Sequence, residues 1–193
     1  AYKMLFENKR VLVTGGTGFI GKNLVLRLIK EKPNLCIIDR NIKEKIEYAN
    51  IGCHETDICD KEALRGIVDN FNPEYVFHFA ANNSHEETPE VIEDIKSTNV
   101  QGTRNLLELT KEIPYKRLVF LSSGETYFGN KVPFREDMKV KGPSSYSRSK
   151  IESEKDCKLF IETLKKPIVI LRASIVYGPG QKARMFIPSM IES

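Results

Sequence analysis

Six short apolar runs punctuate this chain, and most are separated by a stretch long enough for a helix. They are RVLVT (Arg10 to Thr14), NLCIID (Asn34 to Asp39), Gly52 to Thr56, YVFHFA (Tyr75 to Ala80), RLVFLS (Arg117 to Ser122) and PIVILR (Pro167 to Arg172). Four of them are nearly continuous in hydrophobic residues, the pattern of strands covered on both faces. Helical periodicity fills the intervals near Phe19 to Glu31, Asp60 to Asn70, Pro89 to Glu112 and Ser145 to Lys165. Strands alternating with helices pair in parallel through right-handed crossovers. The alternation therefore predicts an α/β domain over residues 1–193, a doubly wound parallel sheet in the order 3-2-1-4-5-6.

Bulk properties exclude several classes. The net charge of +4 and pI of 8.8 come from basic residues interleaved with acids, as in KEKIE and ESEKDCK, so no stripe suits nucleic acid. No apolar run is long enough to span a bilayer, and AYKMLFENKR has no signal-peptide core, so the expected location is the cytoplasm, away from membranes. Cys36, Cys53, Cys59 and Cys157 show no paired spacing and read as reduced thiols. Cys53, His54 and Cys59 lack the spacing of a tetrahedral metal site, so no metal is expected.

Chemistry enters with VLVTGGTGFIGKNLVLRLI. Gly15, Gly18 and Gly21 follow a strand and open a helix in a G-x-x-G-x-x-G spacing. The first glycine permits a tight turn, the second lets a pyrophosphate approach the backbone, and the third lets helix and strand pack closely. The helix N-terminus offers amides to the phosphates, with Phe19 and Ile20 packing beneath the cofactor. Asp39 ends the second strand eighteen residues beyond Gly21, placed to bond the adenosine ribose and repel a 2′-phosphate. This favours NAD; Arg40, able to accommodate that phosphate, keeps NADP open as the lesser alternative. In PSSYSRSKIESEK, Tyr146 and Lys150 stand one helical turn apart. By themselves they fit either a snorkelling surface lysine or an activated phenol.

Read in order, these motifs resemble the extended short-chain dehydrogenase/reductase family, the NAD-dependent epimerase/dehydratase group acting on nucleotide sugars, with its Rossmann-like fold. The resemblance runs through TDI (Thr56 to Ile58), HFAA (His78 to Ala81), STNVQGTRNLLE, FLSSGETYFG, YSRSK and LRASIVYGPGQ. It implies Asp57 and Ile58 at the adenine, Phe79, Ala80 and Ala81 lining the cofactor, and Asn99 among the cofactor-binding residues in a structural, water-holding position. It also implies catalysis by Ser123, Tyr146 and Lys150: Tyr146 as base, its pKa lowered by the Lys150 ammonium; Lys150 also on the nicotinamide ribose; and Ser123 orienting the reacting hydroxyl. Hydride transfer to NAD then gives a keto sugar, as in a nucleotide-sugar epimerase.

Two departures qualify the match. The dehydratases' Thr-Asp-Glu set appears as Ser123, Gly124 and Glu125, without the acid that protonates the leaving hydroxyl. Ile175 stands where many members carry asparagine. His85, in the loop after the fourth strand, reads as a solvated residue or a substrate contact. The alternatives are an NAD(P)H-dependent reductase of small carbonyls, or a non-catalytic NAD-sensing module, which would not need Ser123, Tyr146 and Lys150. The resemblance further implies a homodimer paired through the helices near Pro89 to Glu112 and Ser145 to Lys165. It also implies a longer enzyme whose substrate domain largely lies outside these residues.

Overall fold

The computed structural model describes residues 4–42, 51–181, 187, 189 and 190. Six strands form one parallel sheet: β1 (Arg10–Thr14), β2 (Asn34–Asp39), β3 (Ile51–Glu55), β4 (Tyr75–His78), β5 (Arg117–Ser123) and β6 (Ile168–Ala173). Their order is β3-β2-β1-β4-β5-β6, the doubly wound order expected from the alternation. Every pairing is parallel, with Val11 opposite both Leu35 and Tyr75. The chain therefore reverses its winding between β1 and β4, and a crevice opens at the carboxyl ends of those strands.

Period two along the strands divides the core in two. Val11, Val13, Leu35 and Ile37 face α1 (Phe19–Ile29), which inserts Val25 and Leu28. Leu12, Cys36, Ile38 and Val76 face the opposite layer, formed by α2 (Lys61–Phe71), α4 (Gly102–Thr110) and α5 (Ser145–Leu164). Caps fix where these helices start. Asp60 accepts from Ala63 N at 3.0 Å to open α2, and Ser144 and Ser147 bond reciprocally in a capping box that opens α5.

Most element ends agree with the sequence reading to within one or two residues, and two differences bear on the site. The run read as strand to Ala80 leaves the ladder after His78, because Ala80 N donates to the Thr14 hydroxyl at 3.2 Å instead of to a strand carbonyl. The segment read as one helix from Pro89 is interrupted: α3 (Pro89–Ile95) passes through a π-helical turn, Lys96–Gln101, before α4. Both flanks are α-helical and the turn shifts the register by only about one residue, so the sequence pattern reads as one helix. Among the described residues no helix is long and apolar enough to cross a membrane.

Candidate active site

A cleft of about 750 Å3 runs along the carboxyl ends of the strands, from Asp39 and Asp57 at one end to Ser123, Tyr146 and Lys150 at the other. The glycine turn forms its floor. Gly15 adopts φ +71°, and a Cβ there would lie 2.5 Å from the Ala80 amide nitrogen. A Cβ on Gly21 would stand 2.0 Å from the Gly15 carbonyl oxygen, so α1 rests directly on the turn. Gly18 caps α1 without a side chain, and the first-turn amides of a helix have no intrahelical acceptor. That combination fits the phosphates of a dinucleotide. Asp39 Oδ2 accepts from the Thr17 amide at 3.0 Å and its hydroxyl at 2.7 Å, which fixes the carboxylate beside the glycine turn.

Gly15, Gly18, Phe19, Ile20, Gly21, Asp39, Arg40, Asp57, Ile58, Phe79, Ala80 and Ala81 all line this cleft. Asn99 does not: it is 2% exposed and lies behind the wall. Its side chain clasps Asn82, accepting from the backbone amide at 2.8 Å and donating to the carbonyl at 2.9 Å, and it also donates to the Ser149 hydroxyl at 2.8 Å. The Asn99 carbonyl, sited in the π turn, accepts from the hydroxyls of Thr103 (2.5 Å) and Ser153 (2.7 Å). Both lone pairs are thus engaged by protein groups. Asn99 ties the loop after β4 to the helix bearing Tyr146.

His78 belongs to the same network. It is buried between Thr14 Oγ1, 2.7 Å from Nδ1, and Thr103 Oγ1, 2.9 Å from Nε2. Because the Thr103 hydroxyl gives its proton to Asn99, it can only accept from His78, which assigns the Nε2–H tautomer. The Thr14 hydroxyl then donates to Nδ1 and accepts from Ala80 N. One directional chain of hydrogen bonds thus links the amide of cleft-lining Ala80 to the carbonyl of Asn99. Burial, with the Lys150 charge adding to it, pushes the imidazole down to about 3.

At the other end of the cleft, Lys150 is 3% exposed. Its Nζ donates to the Leu121 carbonyl at 2.8 Å and lies 5.0 Å from the Phe120 ring centroid and 5.8 Å from that of Tyr146. Burial pushes this ammonium down to about 8, against the opposing pull of Cys157 and Glu154. The Tyr146 phenol lies above its ordinary value: burial is the main cause, Glu125 adds to it, and the hydrogen bond with Ser123 only partly offsets them. Lys150 is not among the groups that shift the phenol here; its ammonium lies over the ring and bonds a strand carbonyl.

Beyond Tyr146 the cleft joins a second cavity of about 1010 Å3, lined by Tyr127, Phe128, Phe134, Ile175 and Tyr177 among others. The His85 ring meets that of Tyr146 edge-on, with centroids 5.7 Å apart, and its Nδ1 is 3.8 Å from Glu125. Glu125 in turn accepts from the Ser144 hydroxyl at the cap of α5. A Cβ on Gly124 would approach the Ala173 carbonyl to 3.1 Å, which leaves little room for an acid there. The sequence reading missed two cleft-lining residues in particular, Thr17 and Thr98. Thr17 carried a signal, lying inside the glycine motif, whereas Thr98 reaches the cleft from the π turn.

Comparison with known proteins supplies the family. Residues 11–193 match the model described as the NAD dependent epimerase/dehydratase family. The chain is 30% identical over 194 residues to human dTDP-D-glucose 4,6-dehydratase, an alignment covering 95% of this chain and 55% of that protein. The solved structure of an epimerase from Methanothermobacter thermautotrophicus is 32% identical, with a TM-score of 0.88 over 98% of this chain and 59% of that one. The Bordetella bronchiseptica enzyme WbmG, solved in complex with NAD and UDP, is 28% identical, with a TM-score of 0.84 over 96% of this chain and 59% of that one. The chain thus spans a little over half the length of these relatives.

Proposed function

This chain belongs to the NAD dependent epimerase/dehydratase family, and from that premise we propose that it forms the dinucleotide-binding and hydride-transfer part of a nucleotide-sugar epimerase. NAD is the cofactor of this family. The observation that carries the reading is the single cleft that has the glycine turn and Asp39 at one end and Ser123, Tyr146 and Lys150 at the other. Bound NAD supplies a hydride acceptor and a positive ring beside the phenol.

The residues divide the work. Asp39, fixed by Thr17, meets the ribose hydroxyls, and the first-turn amides of α1 meet the pyrophosphate. Ser123, which lines the cleft with Tyr146, orients the reacting sugar hydroxyl. Tyr146 takes that proton as hydride leaves the sugar, giving the keto intermediate, and returns it when the sugar is reduced on its other face. Lys150, anchored on Leu121, keeps a positive charge behind the phenol ring. The tight space at Gly124 favours epimerisation over 4,6-dehydration, which needs an acid at that position. Pairing of two copies through α3, α4 and α5, and a cytoplasmic location, belong to the same proposal.

The test is a pair of measurements. NAD titrated by calorimetry should bind, and in the whole protein Lys150→Met should lose both affinity and turnover on UDP- and dTDP-sugars. Unimpaired NAD binding and turnover by Lys150→Met would refute the assignment.

A further inference from the structure

Arg40 stands beside the acid that ends β2, where a guanidinium can accommodate the 2′-phosphate of NADP. In the structure it is engaged elsewhere. Its Nη1 donates to Asp94 Oδ1 at 3.0 Å and lies 3.9 Å from Asp57 Oδ2. Asp94 is on α3 and is not among the residues lining the cleft. Its other oxygen accepts from Asn82 Nδ2 at 2.6 Å, and Asn82 is the residue whose backbone Asn99 clasps on both sides. The carboxylate that holds Arg40 is thus itself anchored to the buried π turn. Burial opposes its charge, but its hydrogen bonds with Arg40 and Asn82 outweigh that, so Asp94 stays below the ordinary carboxylate range and anionic at neutral pH.

We propose that Asp94 is a specificity-determining residue that keeps Arg40 from serving a 2′-phosphate, and so, together with Asp39, makes the cleft selective for NAD. The inference rests on reading this cleft as the NAD site. Asp39 repels the phosphate directly, and Asp94 acts at a distance by occupying the neighbouring guanidinium that would offset that repulsion. The pair is about half exposed, with side chains 53% and 42% accessible, so its strength is modest. Releasing Arg40 should therefore relax selectivity without inverting it, raising NADP affinity relative to NAD about fivefold, or about 1 kcal/mol.

Calorimetric titration of NAD and NADP into the wild-type protein, Asp94→Asn, Arg40→Ala and the double variant tests this. The side chain of Asp94→Asn keeps its shape. That variant should show the fivefold relative gain for NADP, and Arg40→Ala/Asp94→Asn should return to the wild-type ratio. An unchanged ratio in Asp94→Asn refutes the lock. So does a gain that survives in the double variant, since removing a negative charge would then account for it without Arg40. If the wild-type protein binds no NAD, the cofactor reading falls and takes this inference with it; if it binds NAD and Asp94→Asn changes nothing, only the lock falls.

Discussion

At the glycine-turn end of the cleft the protein presents backbone and small residues: Gly15 against Ala80, Gly21 against the Gly15 carbonyl, and the uncapped first turn of α1. At the other end it presents buried polar side chains, with Lys150 on a strand carbonyl, Tyr146 beside Ser123, and a chain of hydroxyls and His78 running behind both. The first end tolerates no added atoms at Gly15 or Gly21, because their close contacts are with main chain that cannot rotate away. The second depends on which groups carry protons, because desolvation sets the protonation state of Lys150 and His78. The two ends should therefore fail in different ways, one by losing structure and the other by losing chemistry.

The largest effect should come from Tyr146→Phe. Removing a general base typically costs 10²- to 10⁴-fold, so turnover in the whole protein should fall by about a thousandfold while NAD affinity stays within about twofold. Steady-state kinetics and calorimetry on the same preparation check both halves. Retention of most of the rate would remove Tyr146 from the mechanism.

Gly21→Ala should act at the opposite end and in the opposite manner. Its Cβ would stand 2.0 Å from the Gly15 carbonyl oxygen, a backbone atom, so α1 must move off the turn. Overpacking of this kind costs roughly 3 kcal/mol, and urea unfolding should show it with or without nucleotide. A Gly21→Ala protein of wild-type stability would mean that the helix does not rest on the turn as described.

His78 provides a pH test of the buried network. Its folded value of about 3 lies below the ordinary 6.5, so the unfolded chain binds the proton first. Its contribution to stability is therefore complete above about pH 6.5 and is lost as the pH falls toward 3, by about 1.4 kcal/mol per unit. Between pH 7 and pH 5 this amounts to roughly 2 kcal/mol. In His78→Asn, the loss of stability over that interval, measured by urea unfolding, should shrink by that amount. An equal loss in both proteins would show that the imidazole is not held neutral.

The same contrast explains what the sequence disclosed. Strand order followed from apolar runs that must be covered on both faces, and the glycine turn was legible because only glycine suits Gly15 and Gly21. The motif order also pointed to Ser123, Tyr146 and Lys150, which the fold brings to one end of the cleft. The network behind them was not legible. His78 sat unexplained within HFAA, and the structural position read for Asn99 did not reveal that its amide clasps Asn82 and its carbonyl meets Thr103 and Ser153. Those contacts depend on a short π turn flanked by α-helix on both sides, and on partners 17 and 54 residues distant. The pair between Arg40 and Asp94, 54 residues apart, was hidden for the same reason.

The smallest structural effect should belong to Gly18→Ala, and it separates the two uses of glycine within one motif. Gly18 has φ −67° and ψ 167°, a conformation open to alanine, and an added Cβ would approach the Gly15 carbonyl only to 3.3 Å. The mild squeeze opposes the 0.4 to 1 kcal/mol or so that glycine replacement gains by restricting the unfolded chain, so net stability should change by about 0.5 kcal/mol or less. Binding should respond differently. Gly18 lines the cleft at the start of α1, where a pyrophosphate must come close to the backbone, and a methyl group there holds it away from the amides. NAD affinity should fall about tenfold, or about 1.4 kcal/mol, while the unfolding midpoint in urea hardly moves. A drop in stability comparable to that of Gly21→Ala would assign Gly18 to helix packing, whereas unchanged affinity would move the pyrophosphate away from this turn.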